Sequence, residues 1–367
     1  MDRSAPRGMP SAAPLPSGAA VRNAELTGPR EDGEGRAIPG IVTRMNLAVA
    51  AAAACTLNCP PGAVWGGTMT DSQHHLSGAG SGESPALPWL PSLHSSAAHP
   101  TWTGDVRALG ALADARLGNS RDVWVYLPRS YGVGSRRYPV IYFHDGQNVF
   151  DATTSFAGVE WGADETLELL ARTGAGRESI AVAVANTRHR IDEYTPVMDV
   201  RGGGRASQYV DFLVQQLKPR IDGMFRTLPG REHTAVIGSS LGGLVSLYAG
   251  IAAPQVFGLV GALSPVFDWA GYDIEWRYGN APATDLPLRL WVDMGAAEDA
   301  FPGAPAGPSR LVGDLRRFRM AIERRGFELG RNLGYEETAG ARHDEAAWSE
   351  RLPRVLRFLL PTAGTDA

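Results

Sequence analysis

The stretch TAVIGSSLGGLVSLYA, residues 234–249, decides how the chain is read. Thr234–Ile237 reads as a buried strand and Leu241–Ala249 as a buried helix, and Gly238-Ser239-Ser240 joins them with no loop between. In so tight a turn, side chains two positions before and two after the apex would collide with the neighbouring chain. Of the two serines only Ser240 has glycine at both places, Gly238 and Gly242. A turn of this kind holds its serine in a strained conformation with the hydroxyl projecting, and the helix N-terminus aims free N–H groups at the space in front of it. Ser240 is therefore the candidate nucleophile, and the N–H of Leu241 is one candidate donor to an oxyanion. A Walker-type phosphate loop would end in lysine, where this chain has Leu244-Val245.

Outward from this turn the chain alternates between strand and helix patterns. Arg121–Leu127, Tyr138–His144, Ile180–Ala185, Leu259–Leu263, Leu288–Val292 and Tyr335–Thr338 read as strands, several of them continuous apolar runs suited to burial on both faces. Trp161–Arg172, Tyr209–Ile221, Leu311–Arg325 and Glu345–Leu360 carry apolar residues at helical spacing. This alternation predicts an α/β fold with a mostly parallel central sheet and helices on both faces. No internal repeat is visible.

The 367 residues are unevenly composed. Of the first 100, 52 are Ala, Gly, Pro or Ser, and Trp65 and Trp89 are the only aromatics. Such a stretch cannot bury enough apolar surface to offset chain entropy, so residues 1–100 are expected to be a disordered extension and residues 101–362 the folded domain. Within the extension, Arg44 followed by an alanine-rich apolar run and Cys55 has the outline of a secretory or lipoprotein signal. If translation starts near Val42 or Met45, segment 42–55 predicts a secreted or lipid-anchored protein. If not, the tract is a low-complexity arm of a cytoplasmic one.

The net charge of −4 excludes a strongly basic nucleic-acid binder, and no apolar run is long enough to span a membrane. Both cysteines, Cys55 and Cys59, lie in the extension, so the domain has no disulfide, cysteine-rich zinc site or cysteine nucleophile. No H-E-x-x-H motif occurs, and neither a metal nor a cofactor is expected. Lys218 is the only lysine, so cationic contacts must come from arginine. Oligomeric state is not legible.

A serine hydroxyl needs a base, and in hydrolases with this turn the chain order is serine, acid, histidine. Of His144, His189, His233 and His343, only His343 follows Ser240, in a loop between the last strand and the last helix. His144 is the second choice as base, although its place at a strand end suits a pocket wall. The acid should lie at or after the strand ending near Val292, where Asp293, Glu298 and Asp299 are available, and spacing does not separate Glu298 from Asp299. A second oxyanion donor fits His144-Asp145-Gly146-Gln147-Asn148, where Gly146 lets the backbone turn in and the Gln147 N–H points at the oxyanion.

These blocks resemble the esterase branch of the α/β-hydrolases that holds enterochelin esterases, esterase D, feruloyl esterases and mycolyltransferases. The likeness runs from about Thr101 to Leu360: YPVIYFHDGQNVFD (138–151), GVEWGADE (158–165), RIDEYTP (190–196), the serine turn, Leu263-Ser264-Pro265 and HDEAAW (343–348). The resemblance implies an α/β-hydrolase fold, hydrolysis of a small-molecule carboxylic ester, Ser240 and His343 as nucleophile and base, and Gln147 as second oxyanion donor. It favours Glu298, because the family's acid usually follows Gly-Thr-x, here Gly295-Ala296-Ala297. Siderophore esterases and acyltransferases share this scaffold, and a catalytically inactive binding module is the reading from another class. Trp161 and Arg190 are the expected substrate contacts, with Trp269, Tyr272 and Arg188 further candidates for the wall.

Overall fold

The domain opens with an antiparallel pair, β1 (Asp105–Asp114) and β2 (Asn119–Leu127), and then alternates strands with helices. The strands are β3 (Val140–Phe143), β4 (Ile180–Val184), a two-residue pair β5 (Met198–Asp199) and β6 (Gly202–Gly203), β7 (Thr234–Ser239), β8 (Leu259–Leu263), β9 (Arg289–Gly295) and β10 (Leu333–Thr338). The helices are α1 (Ala163–Thr173), α2 (Arg190–Tyr194), α3 (Ala206–Phe212), which passes through a π-turn into α4 (Lys218–Met224), α5 (Leu241–Ala252), α6 (Asp273–Asn280), α7 (Arg310–Glu323) and α8 (Glu345–Leu359).

 The eight main strands form one sheet in the order β1-β2-β4-β3-β7-β8-β9-β10, parallel from β4 to β10. It is thus the mostly parallel α/β sheet expected from the alternation, in a computed structural model that describes residues 89–90, 100–281, 288–299 and 309–362. The signal-like segment 42–55 and nearly all of the low-complexity extension lie outside the described residues.

The period-two alternation of side chains explains the two layers of core. In β3, Val140 and Tyr142 face one layer with Leu213 and Leu217 and with Leu244 and Leu247 of α5, while Ile141 and Phe143 face the other with Leu167 of α1 and Leu352 and Val355 of α8 (Glu345–Leu359). Helices therefore cover both faces, which is why β3 and β4 are apolar at every position. Strand β1 escapes the sequence reading because DVRALGALAD mixes small and polar residues, and it is half exposed at the sheet edge. Trp89 and Leu90, inside the stretch expected to be a disordered extension, dock there: Leu90 exchanges two main-chain hydrogen bonds with Ala111. That approach requires Gly110, whose φ is +91° and where a Cβ would stand 2.3 Å from the Leu90 carbonyl oxygen.

The sheet order places β3 and β7 side by side, with successive connections leaving in opposite directions. The crevice at their carboxyl ends is where such sheets hold ligands. Ser240 follows β7 there, and the loop after β3 lies beside it.

Candidate active site

Ser240 has φ +56° and ψ −122°, a strained combination for a residue with a side chain. Two glycines make the turn possible. A Cβ on Gly238 would lie 2.6 Å from the Gly242 carbonyl carbon, and one on Gly242 would press on Asp145 and His144 of the neighbouring loop. Ser240 occupies the N-cap of α5, yet its hydroxyl does not cap the helix. Its N–H donates to the Leu263 carbonyl at 3.0 Å, which fixes the turn to β8.

The loop after β3 is held equally tightly. Asp145 is left-handed, at φ +54°, and Gly146 passes so close to β4 that a Cβ would stand 2.5 Å from the Val184 nitrogen. Asp145 takes a bidentate pair from Arg190 at 2.7 and 2.8 Å and a third bond from the Asn186 amide at 2.7 Å. Burial pushes the Asp145 carboxyl up, but Arg190 and Asn186 outweigh it and hold the acid below its ordinary range. Among the described residues, neither the Gln147 nor the Leu241 N–H meets a main-chain carbonyl. Both expected oxyanion donors are therefore uncommitted.

His343 and Glu298 are brought together. The imidazole Nδ1 lies 2.8 Å from Glu298 Oε2, the carboxylate fully enclosed and the imidazole 26% exposed. The other carboxylate oxygen, Oε1, accepts from the Gly295 N–H at 2.6 Å and from the Ser264 hydroxyl. Asp299 points elsewhere and accepts the Arg310 N–H at 2.7 Å, where α7 begins. In this state no hydrogen bond joins Ser240 to His343, and bonds of that kind tighten when substrate enters. The loop carrying His343 crosses the carboxyl edge from β10 to the β3 loop, where Asn148 donates to Glu345 at 3.3 Å.

Behind Glu298 lies a network that the sequence reading missed. Arg351 and Asp293, both fully buried, pair at 3.0 Å. Arg351 also reaches the Ser264 hydroxyl oxygen at 2.9 Å, and Trp348 donates to the same oxygen at 3.0 Å. The Trp348 indole and the His343 ring meet almost at right angles, 5.0 Å apart between centroids. Burial pushes the Asp293 carboxyl up to about 6 against the pull of Arg351. A signal for Arg351 was present: it lies three and four residues after Trp348 and Ala347, on the buried stripe of α8.

Two expected substrate contacts are corrected. Trp161 is 3% exposed and packs in the core, edge-on to Phe143 and 6.0 Å from Trp348 between ring centroids, so it supports the histidine's neighbour. Arg190 is buried and committed to Asp145, so it braces the loop after β3. His144 is also enclosed, bonded to the Tyr209 hydroxyl at 2.9 Å, and burial lowers its imidazole to about 3. That makes it a neutral wall residue and a poor base.

Comparison with known proteins agrees with this fold. The family model described as "Putative esterase" matches residues 115–359. The chain belongs to that family. Two Bacillus subtilis (strain 168) proteins, the uncharacterized proteins YbbA and YjcH, are each 29% identical, over 162 and 153 residues. Those matches cover 42% and 41% of this chain and 60% and 58% of the relatives, so they span less than two thirds of either one. Among solved structures, a ferulic acid esterase superposes with a TM-score of 0.54 at 19% identity, covering 69% of this chain and 98% of that one. The enterobactin esterase FES from Shigella flexneri gives 0.55 at 19% identity, over 74% and 60% of the two chains. An IroE-like serine hydrolase from Shewanella oneidensis gives 0.54 at 20%, over 69% and 80%. At these identities the likeness is one of fold. Among the described residues no helix is long and apolar enough to cross a membrane.

Proposed function

We propose that this member of the esterase family hydrolyses carboxylic esters through Ser240, His343 and Glu298. The observation that carries the reading is the Glu298–His343 bond of 2.8 Å at the same sheet edge as a strained, uncapped serine. Glu298 fixes the imidazole with Nδ1–H toward itself and leaves Nε2 as the base. Ser240 gives its proton to Nε2 and attacks the ester carbonyl. The tetrahedral oxyanion is held by the N–H groups of Gln147 and Leu241. His343 returns the proton to the leaving alcohol, and the acyl group stays on Ser240. Water, deprotonated by the same histidine, then releases the acid.

The experiment is a panel of p-nitrophenyl, feruloyl, acetylated-sugar and siderophore esters, run with the wild type and with Ser240→Ala, together with labelling by an organophosphonate. Turnover and labelling are expected in the wild type and neither in the variant. Labelling that survives Ser240→Ala removes Ser240 as nucleophile. Tight ligand binding with no turnover on any ester identifies a binding module instead. Ferulic acid esterase and enterobactin esterase among the structural neighbours justify those two members of the panel. Sugar acceptors in the assay distinguish hydrolysis from acyl transfer.

A further inference from the structure

Four carboxylates that play no part in this chemistry converge where the loop after β3 meets the first turn of α1. Asp151 closes the YPVIYFHDGQNVFD block, and Glu160, Asp164 and Glu165 come from GVEWGADE. One carboxylate oxygen from each of Glu160, Asp164 and Glu165 lies within 4.8 Å of the others. Asp151 is joined to them by Thr101, whose hydroxyl is 2.6 Å from Glu160 Oε1 and 3.4 Å from Asp151 Oδ1. Thr103 completes the cradle, with its N–H 2.6 Å from Asp164 Oδ2 and its hydroxyl 2.6 Å from Glu165 Oε1.

Charge is what this cluster lacks. Elsewhere in the core, Asp145, Glu193 and Asp293 each pair with a buried arginine. Among the described residues, none of these four carboxylates has an ion pair, although Asp151 is 3% and Asp164 0% exposed. Three of their oxygens, Asp151 Oδ2, Glu160 Oε2 and Asp164 Oδ1, are enclosed and meet no hydrogen-bond donor. Buried acceptors are otherwise satisfied almost without exception, because each orphan forfeits its hydration. The partial positive end of α1 is worth only about half a charge against four carboxylates.

We propose that Glu160, Asp164 and Glu165, with Asp151 and Thr101 beside them, bind one hard divalent cation of calcium's size. Calcium takes six to eight oxygen ligands at about 2.3–2.6 Å in flexible geometry, so three carboxylate oxygens within 4.8 Å of one another can share its shell. Magnesium's octahedron at about 2.0–2.1 Å is tighter and tolerates less irregularity. Glu165 lies at the exposed rim, which leaves an entry path and room for water ligands. The cation would join the approach segment at Thr101–Thr103 to the loop beyond β3. That loop is itself bonded to the oxyanion segment, through the Thr154 hydroxyl to the Gln147 carbonyl at 2.7 Å and the Trp161 N–H to the Asn148 carbonyl at 2.8 Å. The site is therefore structural, bracing the Gln147 loop through contacts separate from those of Arg190.

The competing way to settle the charge is by protons, since burial and the Glu165 carboxyl push Asp164 up to about 8. Calorimetric titration of the chelator-treated full chain with CaCl2 and with MgCl2, alongside thermal unfolding, separates the two. One calcium site is expected, tighter than magnesium, with a Tm that rises as it fills. Glu160→Gln and Glu165→Gln, both outside the deepest part of the cluster, are each expected to weaken calcium binding at least tenfold. No heat and no Tm shift with either ion would overturn the proposal in favour of shared protons. So would calcium binding that both substitutions leave unchanged.

Discussion

His343 and Glu298, 45 residues apart in the chain, meet at 2.8 Å through Nδ1 and Oε2, and the adjacent Asp299 turns away to the start of α7. The difference follows from the strand end. Gly295 gives its N–H to Glu298, and a Cβ at Gly295 would stand 2.4 Å from the Ala341 carbonyl oxygen, so β9 ends pressed against the loop that carries His343.

Glu298→Gln is expected to lower kcat by roughly 10³–10⁴-fold, because the amide no longer orients and stabilises the imidazolium. Asp299→Asn removes a negative charge but keeps an oxygen that can accept the Arg310 N–H, and should leave kcat within about twofold. Steady-state kinetics on one p-nitrophenyl ester compares the pair. A larger loss in Asp299→Asn than in Glu298→Gln would reverse the assignment of the acid.

Gly146→Ala tests the oxyanion loop. Its Cβ would meet the β4 main chain at 2.5 Å, so the loop must shift and carry the Gln147 N–H with it. Losing one such donor costs about 10²–10³ in kcat. Arg190→Lys, which replaces a planar fork by a point charge, should give a smaller loss of the same kind, in kcat more than in KM. Unchanged kcat in Gly146→Ala would exclude this loop from the oxyanion site.

Arg351→Met leaves Asp293 buried and uncompensated, and the domain is expected to lose about 3–5 kcal/mol. For a domain of this size each kcal/mol is worth roughly 2–4 °C of Tm. Differential scanning calorimetry would show the drop, and Asp293→Leu combined with Arg351→Met should recover much of it. A double variant no more stable than Arg351→Met would mean that the ion pair is not the source of the loss.

His144 makes stability depend on pH. The unfolded imidazole binds a proton below about 6.5, whereas the buried one stays neutral until about 3. Between those values the unfolded state holds more protons, so stability falls as pH falls, by up to about 1.4 kcal/mol per pH unit from this group. His144→Gln retains a partner for Tyr209 and should flatten the curve from pH 6.5 downward in urea unfolding. A wild-type slope that survives the substitution would assign it to other groups.

What was legible in the sequence was local. The serine turn announces itself because Gly238, Ser240 and Gly242 act on one another within five residues, and the apolar runs announce a sheet covered on both sides. The His343 position follows from chain order once that turn is recognised. Asp299 and Glu298 could not be separated by spacing, because either can reach a neighbouring loop. Trp161 and Arg190 illustrate the reverse error: an aromatic and a cation near a site look like ligand contacts until their partners, Trp348 and Asp145, are seen.

By itself, then, the sequence determined the α/β alternation, the strained serine and its helix, and the chain order of the candidate serine, acid and histidine. Strand period, glycine sterics and helix termini are short-range effects, and a few consecutive residues specify them. Tertiary structure alone decided that Glu298 faces the histidine, that Arg351, Asp293 and Ser264 hold it there, and that four carboxylates meet with no basic side chain paired to them among the described residues. Those outcomes depend on which charges are buried together. Burial removes the water that would otherwise make neighbouring residues such as Glu298 and Asp299 equivalent.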